Sequence, residues 1–130
     1  SLQHITIPNS GTSIGDGTFS SCTNLSLNCN SDGYVITKKM LIDTKRSRLL
    51  SYFGTDNCII IPNSVTSIGE DVFWGCSSLQ RIIIPNSVTS IGKTAFYQCK
   101  LLQKIIIPEY SIERFKRMLE KGFWDKLEEE

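Results

Sequence analysis

Along residues 79–101, apolar side chains recur in a fixed order: Leu79, Ile82 and Ile84, then Val88 and Ile91, then Phe96 and Cys99. Around Ile82 the spacing is two. That is the signature of a strand with Ile82 and Ile84 on one face and Arg81 and Ile83 on the other. Pro85 offers no backbone donor, so it ends the strand, and Pro85-Asn86 is a turn-forming pair. Val88 to Ile91 suits a second extended run on the opposite side of a coil, and Gly92 permits a sharp change of direction. Phe96 and Cys99 are three apart, which a helical turn places on one side.

The same order recurs at residues 2–23 and 56–77, aligned without a gap, and a further copy opens at Leu102 before leaving the pattern. Leu79 and Leu102 are 23 residues apart, as are Asp56 and Leu79. Pro8, Pro62, Pro85 and Pro108 share one repeat position; Phe19, Phe73 and Phe96 share another; Cys22, Cys76 and Cys99 share a third. A single coil cannot hold itself together. Each large buried side chain contributes roughly 1.5–3 kcal/mol, against an ordering cost of about 1–2 kcal/mol per residue in backbone alone. Stacked copies can share one interior, so the pattern predicts a mainly β solenoid with short helical turns. Its strands should pair in parallel about 4.8 Å apart, with the three phenylalanines along one axis.

Residues 25–55 interrupt the pattern with one coil plus an excursion of about eight residues. Leu25-Ser26-Leu27 still suits a strand. Tyr34 to Thr37, Met40 to Ile42 and Arg48 to Tyr52 are β-rich, which predicts a β-hairpin or small meander projecting from one edge. Lys38, Lys39, Lys45, Arg46 and Arg48 make it locally basic; it either forms solvated turns that protect an edge or binds a partner. After Pro108 the period becomes helical: Ser111 is the expected N-cap, and Ile112, Phe115 and Leu119 fall on one face. A helix over about 111–127, continued by Phe123, Trp124 and Leu127, is expected to cap the open end of the stack, with a frayed acidic tail at 128–130.

Length and balance narrow the function. The 130 residues suit one domain, 1–130, with repeats at about 2–24, 25–55, 56–78, 79–101 and 102–109. The formal net charge of +1 asks for no nucleic acid, and no apolar run approaches the ~20 residues of a membrane span. The chain opens inside a repeat without an initiator Met. It therefore reads as a C-terminal fragment of a longer array; with no repeat before Ser1, the first strand would be an edge open to edge-to-edge self-association. Five cysteines, no CxxC pair and the single histidine His4 argue against a disulfide scaffold and a zinc site. A thiol hydrolase would need His4 beside a reactive cysteine. Cys58 shares its repeat position but lies at least one coil away, and Cys22, Cys76 and Cys99 read as buried thiols in the apolar columns. No catalytic residue, cofactor site or metal site is expected.

The repeat is similar to the BspA-like leucine-rich repeats, whose pattern resembles Leu-x-x-Ile-x-Ile-Pro-x-Ser-Val-Thr-x-Ile-Gly-x-x-Ala-Phe-x-x-Cys. The match is close over residues 79–101. Asp56 and Val72 depart from it in one copy, as do Gly11 and Thr18 in the first. The resemblance spans roughly residues 1–108 and implies a right-handed leucine-rich-repeat solenoid. It also implies a surface or secreted bacterial protein engaged in adhesion to a protein or glycan, without catalysis. The expected partner face is the outward side of the strands, with one column of Thr6, Ile60, Ile83 and Ile106 and another of His4, Cys58, Arg81 and Lys104. The competing reading is a structural spacer, in which the isoleucines only reflect β-propensity.

Overall fold

Repeat spacing becomes strand register. The computed structural model describes residues 3–8 and 13–130; Leu2 and Gly11, which open the first repeat and mark its departure, lie outside the described residues. The chain runs β1 (Gln3–Ile7), β2 (Leu25–Cys29), β3 (Tyr34–Thr37), β4 (Met40–Asp43), β5 (Arg48–Tyr52), β6 (Cys58–Ile60), β7 (Ser67–Ile68), β8 (Arg81–Ile83), β9 (Ser90–Ile91) and β10 (Lys104–Ile107). Helix α1 (Ile112–Met118), a 3-10 helix (Lys121–Lys126) and β11 (Leu127–Glu129) follow.

A four-stranded parallel sheet has the order β11-β10-β8-β6, with Ile60 beside Ile83 and Ile83 beside Ile106. A second sheet has the order β3-β4-β5-β7-β9. Its β5, β7 and β9 are parallel, in the step that places Ser67 beside Ser90. Ile59, Ile82, Ile105 and Ile107 of the first sheet, with Ile61 and Ile84 just beyond its strands, join Leu49, Ile68 and Ile91 of the second in one apolar cluster. The alternation at Ile82 thus has the expected sense: Ile82 and Ile84 are buried, Arg81 is exposed. The turns after Pro62 and Pro85 close through N–H bonds from Val65 and Val88 to the proline carbonyls.

Phe73 and Phe96 stack at 5.5 Å with their planes 3° apart. The row is completed by Tyr52 and Phe123, at 5.6 and 6.0 Å, not by Phe19, which packs in a separate, smaller cluster. The reason is local. The turn carrying Phe19 rests on the segment Leu50 to Tyr52, with bonds from Gly17 N to Leu50 O and from Ser21 N to Tyr52 O, rather than on a turn of its own kind. Cys22, in that same turn, is exposed, contrary to its expected burial; Cys76 is buried and Cys99 half-buried.

Gly92 plays a different part from the expected bend. A Cβ there would lie 2.7 Å from the Glu70 backbone, and its φ is not positive. It is the closeness of the neighbouring repeat that excludes a side chain.

The residues 34–52 form the expected antiparallel meander, but it does not project. All of β4 is buried. Its Met40 and Ile42 face the larger cluster, while Leu41 faces the smaller. Leu49 and Leu50 divide in the same way. The meander is a partition between two interiors, joined in plane to β7 through β5.

Acidic side chains tie one repeat to another. Asp16 accepts from Arg48 Nε (2.9 Å) and from the Glu70 N–H (3.0 Å). Glu70 accepts from Thr94 Oγ1 (2.6 Å) and from the Thr94 and Lys93 N–H groups. The Arg48 bond holds the Asp16 carboxyl below its ordinary range, and the Thr94 bond does the same for Glu70. At Asp43, burial pushes upward, but Arg46 and backbone bonds outweigh it and leave the carboxyl lowered. A lowered folded value means the stabilisation is complete above the unfolded carboxylate range, about pH 4, and is lost as pH falls through the folded value. The urea midpoint is therefore expected to hold steady from about pH 7 to 5 and to fall below about 4. Asp16→Asn should cost about 1.5–3 kcal/mol at neutral pH and flatten the acid limb.

The C-terminal segment departs from a single helix. Ser111 occupies the N-cap position, but its hydroxyl donates to Pro108 O instead of capping. The α-helix stops at Met118 because Trp124 folds back, its indole N–H shared by the Lys116 and Leu119 carbonyls (both 3.1 Å). The tail expected to fray is strand β11, paired with β10 through Ile105–Leu127 and Ile107–Glu129.

Candidate functional site

The expected partner face is only partly assembled. Arg81, Lys104 and Cys58 are exposed side by side across β8, β10 and β6, with Lys104 Nζ 3.1 Å from Glu128. The isoleucine column is graded rather than uniform: Ile60 is 60% exposed, Ile83 half-buried and Ile106 only 4% exposed. Ile106 fails the expectation of outward exposure because β11 lies alongside it, Glu128 being its register partner. His4 and Thr6 are exposed but belong to a separate two-stranded sheet of β1 and β2, beside Ser26 and Asn28. The two columns are therefore broken between β2 and β6.

That break is the geometry the sequence reading missed. The partition keeps β2 and β6 out of one sheet, and the turn between β3 and β4 stands beside the free side of β6. Between them lies a cleft of about 410 Å³. Lys38 and Lys39 form its rim, Met40 and Tyr52 its buried floor, and Asp56, Cys58 and Ile60 its far wall.

The strand groups facing the cleft follow from the ladder. Arg81 N donates to Asn57 O and Ile61 N donates to Ile83 O, so residues 57, 59 and 61 face β8. Parallel pairing alternates, which turns the N–H and C=O of Cys58 and Ile60 toward the cleft.

Charge in the cleft is unbalanced. The Asp56 carboxylate accepts from the Tyr52 hydroxyl at 2.7 Å, and the same hydroxyl accepts from the Asp56 N–H. Burial, followed by that carboxylate, raises the phenol well above its ordinary value. Arg46 and Arg48 are spent on Asp43 and Asp16. Lys38 and Lys39 are exposed and form no ion pair among the described residues; Lys39 Nζ stands 5.6 Å from the Phe53 ring centre. Both hold positive φ, 48° and 66°, a turn that favours glycine or asparagine. Side chains of this size there cost about 1–3 kcal/mol each. The unbroken apolar run Met40-Leu41-Ile42 was a usable signal for a strand buried on both faces; nothing in the sequence indicated which edge it would leave open.

Other chemistry is weak. Burial pushes Cys99 up to about 12 and also raises Cys76, the opposite of what a thiol nucleophile needs. Among the described residues, no group of three or more His, Cys, Asp or Glu is placed to hold a metal, and no helix is long and apolar enough to cross a membrane. Trp74 and Tyr97, 48% and 38% exposed, share the repeat position after the buried phenylalanine. The Tyr97 hydroxyl donates to Glu120.

Comparison with solved structures finds three bacterial likenesses. A leucine-rich cell surface protein from Faecalibacterium prausnitzii is 34% identical with a TM-score of 0.69, over 78% of this chain and 28% of that one. A leucine-rich repeat protein from Eubacterium ventriosum is 24% identical (TM-score 0.60; 82% and 36% covered). The pneumococcal vaccine antigen PcpA is 19% identical (TM-score 0.69; 80% and 27% covered). These last two speak to the fold alone, and the chain spans only about a quarter to a third of the length of the three. A comparison with curated protein sequences finds no match. The BspA-type leucine-rich repeat model matches residues 1–49 and 51–120 in six copies. With its parallel register advancing by 23 residues per strand, the chain belongs to the BspA-type leucine-rich repeat family.

Proposed function

We propose that the chain is part of a right-handed leucine-rich-repeat solenoid that serves as a non-catalytic recognition module for a protein or glycan at the bacterial surface. The observation that carries this reading is the outward side of β6, β8 and β10. There Cys58, Arg81 and Lys104 form an exposed row beside Ile60 and Ile83. The surface assignment draws on the Faecalibacterium relative, which is described as a cell surface protein. In this reading the segment after Pro108 is the cap. Phe115 and Leu119 enter the main cluster, Phe123 and Trp124 pack against it, and Arg114 ties the helix to the Val88 and Asn86 carbonyls. Residues 1–130 act as one domain.

The test is retention of beads carrying the chain on mucin-coated and collagen-coated surfaces. Arg81→Glu with Lys104→Glu is expected to lower retention at least tenfold while the thermal melt is unchanged. Equal retention by the folded variant would count against this face.

A further inference from the structure

We propose that the open side of β6, together with the Lys38-Lys39 turn, is a strand-addition site for an extended, acidic segment of a partner polypeptide. The proposal rests on the recognition reading above and names the chemistry of one partner.

An unpaired strand edge is a template for another strand, and such additions draw affinity from main-chain bonds and specificity from side-chain pockets. Here the edge has a built surround. Cys58 and Ile60 present their backbone donors and acceptors to a space of about 410 Å³, which falls within the size range of peptide and small-ligand sites. Its floor is apolar, from Met40 and the Tyr52 ring. Ile60 at its wall is 60% exposed, although the equivalent Ile106 at the far side of the sheet is covered by the chain's own β11.

That covering strand is itself a precedent within the molecule. β11 reads Leu127-Glu128-Glu129, adds in parallel to an isoleucine strand, and places Glu128 3.1 Å from Lys104. Among the described residues no strand pairs with this side of β6, while two cations without an ion pair stand at the rim. The Asp56 carboxylate accepts from the Tyr52 hydroxyl but forms no ion pair with either lysine, which leaves two cations against one anion in the cleft. Alternating acidic and apolar residues would set carboxylates on the outward side, beside Ile60 and toward the Lys38-Lys39 rim, and apolar groups inward toward Met40.

The probe is a fluorescein-labelled, end-blocked hexapeptide of alternating glutamate and valine, followed by anisotropy. Saturable binding is expected, with the Cys58 and Ile60 amides gaining protection from hydrogen exchange. N-methylation of alternate peptide nitrogens, replacement of glutamate by lysine, or Lys38→Glu with Lys39→Glu should each weaken binding at least tenfold. The milder Lys38→Gln, Lys39→Gln pair, which keeps the turn, should lie between. Absence of saturable binding, or equal affinity of the N-methylated peptide, would overturn the proposal. So would protection appearing on β1 instead of β6. Sedimentation showing a dimer that the lysine variants dissociate would assign the edge to a second copy and overturn it as well. If the peptide fails while Arg81→Glu with Lys104→Glu still lowers bead retention, this site falls and the recognition reading stands.

Discussion

Replacing Phe73 with alanine is expected to remove about 3–5 kcal/mol of stability. The ring is 1% exposed and stands in the middle of a row, stacked on Phe96 at 5.5 Å and tilted against Tyr52 at 5.6 Å. Its loss leaves a cavity lined from both sides, and neither neighbour can close it without leaving its own coil. Phe19→Ala is the control. That ring shares the repeat position but is only partly buried, in the smaller cluster, so its loss should cost less than half as much. Urea titrations followed by near-ultraviolet circular dichroism separate the two; equal costs would mean that repeat position alone, and not the observed stacking, sets the energy.

Leu41→Asp is expected to be more damaging still. Leu41 is fully buried on the partition strand β4, facing the smaller cluster while its neighbours Met40 and Ile42 face the larger. An unpaired carboxylate there has no donor to meet it, and burying such a charge belongs with the substitutions that cost more than about 4 kcal/mol. Because β4 serves both interiors, both should loosen together. An amide correlation spectrum is expected to lose dispersion for residues of β1 and β2 as well as β7 and β9. Lys38→Asp, three residues earlier on the exposed turn, should not destabilise the fold, since aspartate tolerates the positive φ there better than lysine does. Loss of order confined to the β1–β2 end would mean that the partition is not shared.

How far the sequence carried depends on whether a residue repeats. Ile82, Ile84, Val88, Ile91 and Phe96 sit where their columns place them, because like repeats in one register make like contacts with their neighbours. Residues that occur once were harder to place. The eight extra residues of the insert give its length but not its direction, and only tertiary pairing of β5 with β7 draws it into the plane of the second sheet. The acidic composition of Leu127 to Glu129 conceals a strand that exists because Ile105 to Ile107 offer it a ladder. Ile106 reads like Ile60 in the repeat, yet Ile106 has β11 beside it and Ile60 has no such neighbour among the described residues. The cleft was invisible for the same reason: it arises where β2 and β6 fail to pair, a property of the insert's position and not of any residue lining it.

The interruption of the strand face at β6 underlies both the reading of the insert as a partition and the proposed peptide site. Amide hydrogen exchange in the free protein tests it directly. Along β8, where both sides are paired, Arg81, Ile82 and Ile83 should all exchange slowly. Along β6, Ile59 and the following Ile61 should be protected, while Cys58 and Ile60 exchange at least a hundredfold faster. Uniformly slow exchange at all four positions would show that β2 closes onto β6, and would contradict the account.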